Sequence, residues 1–469
     1  MSLRLRPLAF ALLLAGVAAP AAATDLVQAY DLARQGDPQL SISESQVGVA
    51  GEGIVQNRAN LLPQIDGTAT YGRSRSDSDG TQLFGSTPFT SDTSNSSTSR
   101  SKELNLRQSI YDRANYTRLG ASRARAAAAR ADADSASDNL IVRVADAYFN
   151  VLTRIETLVA SRAEVSAVKR QLDQAEKRLE VGLAPITDVH EARARYDSAR
   201  ANAILAANSL DDAYEALTEI TGERVSNLKG LAKDFTPKAT DLRARDAFVD
   251  IALASNPTIK SRELALAAAE KDVSTARAGH LPTLGGSFSW RDSSNNGDNT
   301  NNLVAAPNVT AFDNGFNGTT WGLSLNVPIF SGFATQSRVR EALHRRDIAA
   351  DQLEQQKRAI TRTTRSLHNA LAAGAAEVEA RRLAVVSAQA AYEAGEAGLE
   401  VGTRTIVDVL IAQQQLFQAQ RDYATARHAF LVNELKLKQA AGILEATDLE
   451  AVNRSLVTDA DAALGDATN

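Results

Sequence analysis

The chain has 469 residues, 44% hydrophobic and 23% charged, with 51 Lys and Arg against 56 Asp and Glu, a net charge of −5, and no cysteine. The lack of cysteine excludes disulfides, thiolate catalysis, cysteine metal sites and a lipid-modified N-terminal cysteine. A mildly acidic chain without a dense basic stripe cannot neutralise a phosphate backbone, so no nucleic acid is expected as a partner.

Residues 1–23 carry Arg4 and Arg6, an apolar run from Leu8 to Val17, then Ala21, Ala22 and Ala23. This is the layout of a cleavable signal peptide, which predicts export and a mature charge of about −7. No later stretch approaches the roughly 18 to 20 uninterrupted apolar residues of a spanning helix. For such an exported chain the remaining way to span a membrane is a closed barrel, because every backbone group in hydrocarbon must pair within the protein.

The rest of the chain repeats itself. Asp37-Pro38 recurs as Asn256-Pro257, Leu62-Pro63 as Leu281-Pro282, and Ile110-Tyr111 as Ile329-Phe330, while Val181-Gly182 recurs as Val401-Gly402. The spacing predicts two similar halves, 24–222 and 247–442, joined by 223–246 and followed by 443–469. Each half opens with an alanine-rich helix, ended by Pro63 or Pro282, since proline disfavours helix at the preceding residue.

Strands are expected next, at about 65–76 and 100–111, then at 283–291 and 319–330. Leu284, Gly286, Phe288 and Trp290 share one parity, as do Trp321, Leu323, Leu325, Val327 and Ile329. That is the period of a strand with one apolar and one polar side. Between the strands, Arg73 to Arg100 and Arg291 to Gly318 are rich in Ser, Asp, Thr, Asn and Gly and are expected as solvated loops. Tyr71, Tyr111, Trp290, Trp321 and Phe330 suit an interfacial girdle.

A long helix is predicted over 113–180, with Val144, Val151, Leu158, Val165, Leu172 and Leu179 every seven residues, alternating with Ile141, Tyr148 and Ile155, then Val168 and Ala175. Such heptads form a coiled-coil seam. The counterpart over 334–400 offers Leu353, Ile360 and Leu367, then Leu383, Val386, Ala390 and Ala397. Return helices are expected over 188–221 and 408–441. Helices this long and poor in bulky residues need lateral partners, and four strands cannot close a barrel, since the smallest transmembrane barrels have eight. Several copies must therefore share one.

At the turns, Gly182 and Gly402 fit left-handed caps and Pro185 a helix restart. Asp188 with Glu191, and Thr405 with Asp408, have capping-box spacing. The five histidines are scattered without metal-ligand spacing, and no nucleophile elbow, P-loop or dinucleotide fingerprint occurs, so neither enzyme chemistry nor a cofactor is expected.

Strand pairs set between long helices, duplicated behind a signal peptide, resemble the TolC-type outer membrane efflux family over about Asp25 to Val452. The most specific pieces are Ala147-Tyr148-Phe149-Asn150-Val151-Leu152, Ile186-Thr187-Asp188-Val189, Gly279-His280-Leu281-Pro282-Thr283-Leu284 and Val401 through Leu410. The resemblance implies a mainly α fold with a membrane β-barrel: a homotrimer whose twelve strands form one barrel in outer-membrane lipid and whose twelve helices continue it as a periplasmic α-barrel. It implies an exit duct for tripartite drug efflux and type I secretion in a Gram-negative outer membrane. The implied partners are a periplasmic adaptor (membrane fusion protein) and an inner-membrane transporter of RND, MFS or ABC type.

By the same resemblance the helix tips close like an iris. Arg404 on the inner turn is expected to pair with Thr187 and Asp188 on the outer turn, and Glu396 with Gln171. Asp408 is expected at the constriction, as a ring of carboxylates favouring cations. The turns Val181-Gly182-Leu183 and Val401-Gly402-Thr403 are expected to dock the adaptor. Two positions depart from the family's best-known member, which has a tyrosine where Leu399 stands and an aspartate where Ile411 stands, implying weaker cation binding at the tip and a gate held more by Arg404. The rival reading is a periplasmic coiled-coil adaptor, which would not need two strand pairs with interface aromatics.

Overall fold

The computed structural model describes residues 23–84, 86–232, 235–237, 245–301 and 308–460, so the expected signal peptide lies outside the described residues except for Ala23. In chain order the elements are α1 (Leu26–Gly36), α2 (Pro38–Ala59), β1 (Gln64–Phe84), β2 (Thr87–Tyr111), α3 (Arg113–Glu180), α4 (Ile186–Thr221) and β3 (Lys229–Leu231). The second half follows with α5 (Arg245–Ser255), α6 (Pro257–Ala278), β4 (Thr283–Asn301), β5 (Asn308–Asn326), α7 (Ala334–Glu400), α8 (Ile406–Ala441), α9 (Ala446–Asn453) and β6 (Leu456–Asp459). Two compact units divide the chain. One comprises Glu44–Asp132 and Thr258–Gln356, the other the described residues of Met1–Ser43, Ala133–Pro257 and Lys357–Asn469.

In the first unit the four long strands form one antiparallel sheet in the order β1-β2-β4-β5. The alternation read from the sequence becomes rows across the sheet. Ile65, Leu106, Phe288 and Trp321 stand in register, and Asp66, Asn105, Ser289 and Thr320 form the next row on the opposite face. Trp321 is 79% exposed and Ile65 65%, so none of the described residues covers the apolar face there. A bulge at Ser109–Tyr111 shifts the register, and Ile110 there lies over Gly286. The apolar rows run as a band from Leu284 beside Leu325 to Trp290 beside Leu104, and the next row on that face, Ala69, Lys102, Asp292 and Asn317, is charged.

Above that band the tracts expected as loops are paired strand. β1 and β2 stay in register as far as Phe84 opposite Thr87, and β4 and β5 as far as Asn301 opposite Asn308. Ladder hydrogen bonds need only backbone, so pairing persists where both faces are polar and the period-two signal vanishes. At the other end β5 stops at Asn326 rather than near 330, just before Pro328, which has no N–H to donate to a ladder.

The second unit is built on helices of unusual length. α3 has 68 residues and α7 has 67, each about 100 Å at 1.5 Å per residue. α4 and α8 begin at 186 and 406, two residues before the expected starts. Its core gathers Leu26 of α1, Leu140, Tyr148, Phe149, Leu152 and Ile155 of α3, Leu217 of α4, Leu435 of α8 and Leu449 of α9, all buried. The Tyr148 hydroxyl lies 2.7 Å from the Lys229 carbonyl and 3.1 Å from that of Thr24, tying α3 to β3 and to the segment just before α1.

The α3 seam is buried at Val144, Val151, Leu158 and Leu172 as expected from its heptads. On α7 the expected seam holds in its first part, where Leu367 packs against the core, but toward the tip it is the outward face. Leu383 and Val386 are 50% and 56% exposed, whereas the inward positions are Thr364, Leu371, Val378, Val385, Tyr392 and Leu399, also seven apart. Two stripes of apolar residues share this helix, and only contacts decide which of them packs internally.

Candidate functional site: the helix tips

Both tip turns close with glycine in the left-handed region, Gly182 at φ 75° and Gly402 at φ 77°. At the first turn Leu183 N–H reaches the Arg178 carbonyl at 2.7 Å and Gly182 N–H that of Leu179 at 2.9 Å, a Schellman closure. The helix restarts differ. α8 has Thr405 as N-cap in a reciprocal capping box with Asp408, whereas α4 has Pro185 there and no side-chain cap, so the Asp188–Glu191 box does not form. Val181, Leu183 and Val401 are 66–74% exposed, leaving both turns as bare apolar knobs.

Asp408 accepts at Oδ2 from the Thr405 N–H at 3.0 Å and from its hydroxyl at 2.8 Å. These bonds, then the charge of Arg404, hold its carboxyl below the usual range and keep it ionised. The stem of Arg404 lies over Gly398, where a Cβ would sit 2.6 Å from its Cγ. Among the described residues no hydrogen bond or ion pair joins Arg404 to Thr187 or Asp188 within one chain.

Glu396 is likewise engaged elsewhere than expected: it accepts from the Tyr392 hydroxyl at 2.5 Å, which in turn accepts from Gln413 of α8 at 3.3 Å. Burial, then the bond to Glu396, pushes the Tyr392 hydroxyl up to about 12. Gln171 is buried with its side-chain carbonyl unpartnered, and so is that of Gln413. Tyr392 and Gln413 are the polar residues the sequence reading missed. The clue was that Tyr392 lies seven residues before Leu399.

Leu399 itself is not a gap in the site. It is 8% exposed, in an apolar cluster with Ile406, Val409 and Leu410 from α8, Val168, Leu172 and Ala175 from α3, and Val189 and Ala192 from α4. This clasp joins the two helical hairpins of the chain near their tips. Ile411, by contrast, is 41% exposed.

Further along α8, Arg427 makes two 3.1 Å contacts to the carboxylate of Glu156, and Thr153 shares a 2.8 Å hydrogen bond with His428. Burial, then the charge of Arg427, pushes His428 down to about 3, so it is neutral at ordinary pH. Burial raises the Glu156 carboxyl, opposed by Arg427. Among the described residues no three His, Asp or Glu side chains converge as a metal site, and no helix is long and apolar enough to cross a membrane.

A family profile described as Outer membrane efflux protein matches residues 29–223 and 248–443, the two sequence repeats. The chain is 36% identical to Outer membrane protein TolC of Vibrio cholerae over 437 residues, covering 92% of this chain and 94% of that protein. To TolC of Escherichia coli it is 35% identical, covering 97% and 89%. Against the alkaline protease secretion protein AprF of Pseudomonas aeruginosa the identity is 29%, covering 93% and 88%. Among solved structures, the Campylobacter jejuni CmeC outer membrane channel superposes with a TM-score of 0.72 at 16% identity, covering 97% of this chain and 98% of that one.

Proposed function

The chain belongs to the outer membrane efflux protein family, which makes it an exit channel of a Gram-negative outer membrane for drug efflux and type I secretion, and on that premise we propose that three copies build the channel. The observation that carries the proposal is the pair of open edges on the sheet. Among the described residues β1 and β5 each bond to one neighbouring strand only, although each runs for 19 residues or more. Unpaired edges cannot stay in hydrocarbon. Joining β5 of one copy to β1 of the next satisfies both, and three copies supply twelve strands. The exposed Leu383 and Val386 stripe on α7, with Ile204 and Leu205 on α4, supplies apolar surface for neighbouring helices.

At the tips, one chain does not bond Arg404 to Thr187 or Asp188. The expected latch is therefore a contact between neighbouring copies. Asp408 supplies one carboxylate per copy, so a cation ring also needs all three. Gln171 and Glu396 remain candidates for the same gate, with Tyr392 as an intermediary through its hydroxyl. The bare turns at Val181, Gly182 and Leu183, and at Val401, Gly402 and Thr403, are the surfaces for an adaptor's hairpin tips, with an inner-membrane transporter beyond it supplying the energy. Chemical cross-linking of the purified protein in detergent, followed by planar-bilayer recording, tests this reading. Cross-linked trimers with discrete ion-conducting steps are expected; monomers that pass no current would refute it.

A further inference from the structure

The side-chain links between α8 and the α3–α4 pair recur at intervals matching the helix. Arg195 of α4 donates to Gln414 at 3.3 Å, Arg421 lies 3.4 Å from Glu164 of α3, Arg427 and His428 engage Glu156 and Thr153, and Lys436 lies 3.2 Å from Asp146. On α8, positions 414, 421 and 428 are seven apart, so they fall on one face, and the α3 partners of 421 and 428, Glu164 and Thr153, run in the opposite chain direction. The links differ in how readily they can part. Arg427 has a 7% exposed side chain, and separating it from Glu156 leaves a buried charge uncompensated, which is strongly disfavoured.

The side chains of Arg421 and Glu164 are 21% and 12% exposed, shielded from bulk solvent, yet both line a cavity of about 280 Å³. Its other walls include Thr157, Ser161, Asn202 and Ser209, a polar lining that can hold water. Water in that space can hydrate both charges as they separate, which lowers the cost of breaking this pair relative to the one at Glu156.

We propose that Glu156, Arg427 and His428 form the fixed pivot of α8 against α3, and that Arg421–Glu164 is a reversible rung on the tip side of the pivot that holds the channel closed. This rests on the iris-gate reading above. Arg421 and Glu164 are then positioning residues for the gate, acting at a distance from the constriction.

The test is single-channel recording of the purified full-length protein in a planar bilayer, comparing wild type with Glu164→Gln, Arg421→Gln, Arg421→Lys and the charge-swapped double variant Glu164→Arg with Arg421→Glu. Each neutral variant is expected to raise the open fraction about tenfold, the equivalent of about 1.4 kcal/mol. Arg421→Lys and the swapped pair should return it toward wild type. Neutral variants at the wild-type level, or a swap no tighter than either neutral variant, overturn the rung. Should Glu164→Gln fail to fold, Arg421→Gln read against Arg421→Lys decides the question in the same way. A wild type that opens no channels at all refutes the duct reading instead, which keeps the two failures apart.

Discussion

Replacing Leu399 by Ala should loosen the tips, and the size of the effect follows from its surroundings. Leu399 packs with eight other buried residues drawn from α3, α4 and α8, and its substitution removes three carbons from the only buried apolar cluster described at that end. Buried Leu to Ala changes cost about 2–5 kcal/mol, least where neighbours can collapse into the space. Leu399 stands one residue from the end of α7 and keeps 8% of its surface, so the lower end applies, about 2–3 kcal/mol per chain. If closing the tips brings the two hairpins together through this cluster, the closed-to-open ratio falls by roughly 30- to 140-fold. The assay is resting conductance in a planar bilayer, with Ile411→Ala as the control, since that side chain is 41% exposed and outside the cluster. Unchanged conductance for Leu399→Ala, in a protein whose thermal unfolding shows the expected loss, would mean that the clasp stabilises the fold without holding the gate.

Acid should weaken the pivot. His428 titrates at about 3 in the folded chain against 6.5 unfolded, so the unfolded chain binds more protons between those values and stability falls as pH drops below 6.5. Between pH 6.5 and 5 the loss is about 2 kcal/mol per chain at 1.36 kcal/mol per unit. Glu156, raised by burial, acts in the opposite sense, so the comparison is between wild type and His428→Phe, which should lose acid sensitivity in thermal melts in detergent; equal sensitivity would exclude His428 as the cause. Trp321→Arg places a charge in the middle row of the apolar band and should cost about 2–4 kcal/mol of barrel stability, read as heat-labile assemblies. Arg404→Ala should raise leak conductance without lowering the melting temperature of the isolated chain, because its side chain has no hydrogen bond to Thr187 and no ion pair to Asp188 within that chain; unchanged leak would remove it from the latch.

Much of this protein was legible from local pattern. Glycine at 182 and 402, proline at 63 and 282, and heptads on α3 act through backbone geometry and short-range spacing, which a linear string of residues carries in full. The apolar parity of β4 and β5 was legible for the same reason, since alternate residues of a strand must face opposite ways. The hairpins above the lipid band were not, because ladder bonds between Ser, Thr and Asn residues leave no hydropathy signal when water lies on both faces. Nor was the α7 seam: Leu383 with Val386, and Leu371 with Val378, are equally good stripes until α8 and α3 select one. The polar contacts at the tip belong to the same class. Tyr392 bonds Glu396 four residues along its own helix, but its link to Gln413, and the meeting of Arg421 with Glu164, join residues 21 and 257 positions apart. Periodicity determined which faces were available to bury; the packing of separate helices alone decided which face, and which charge, met which.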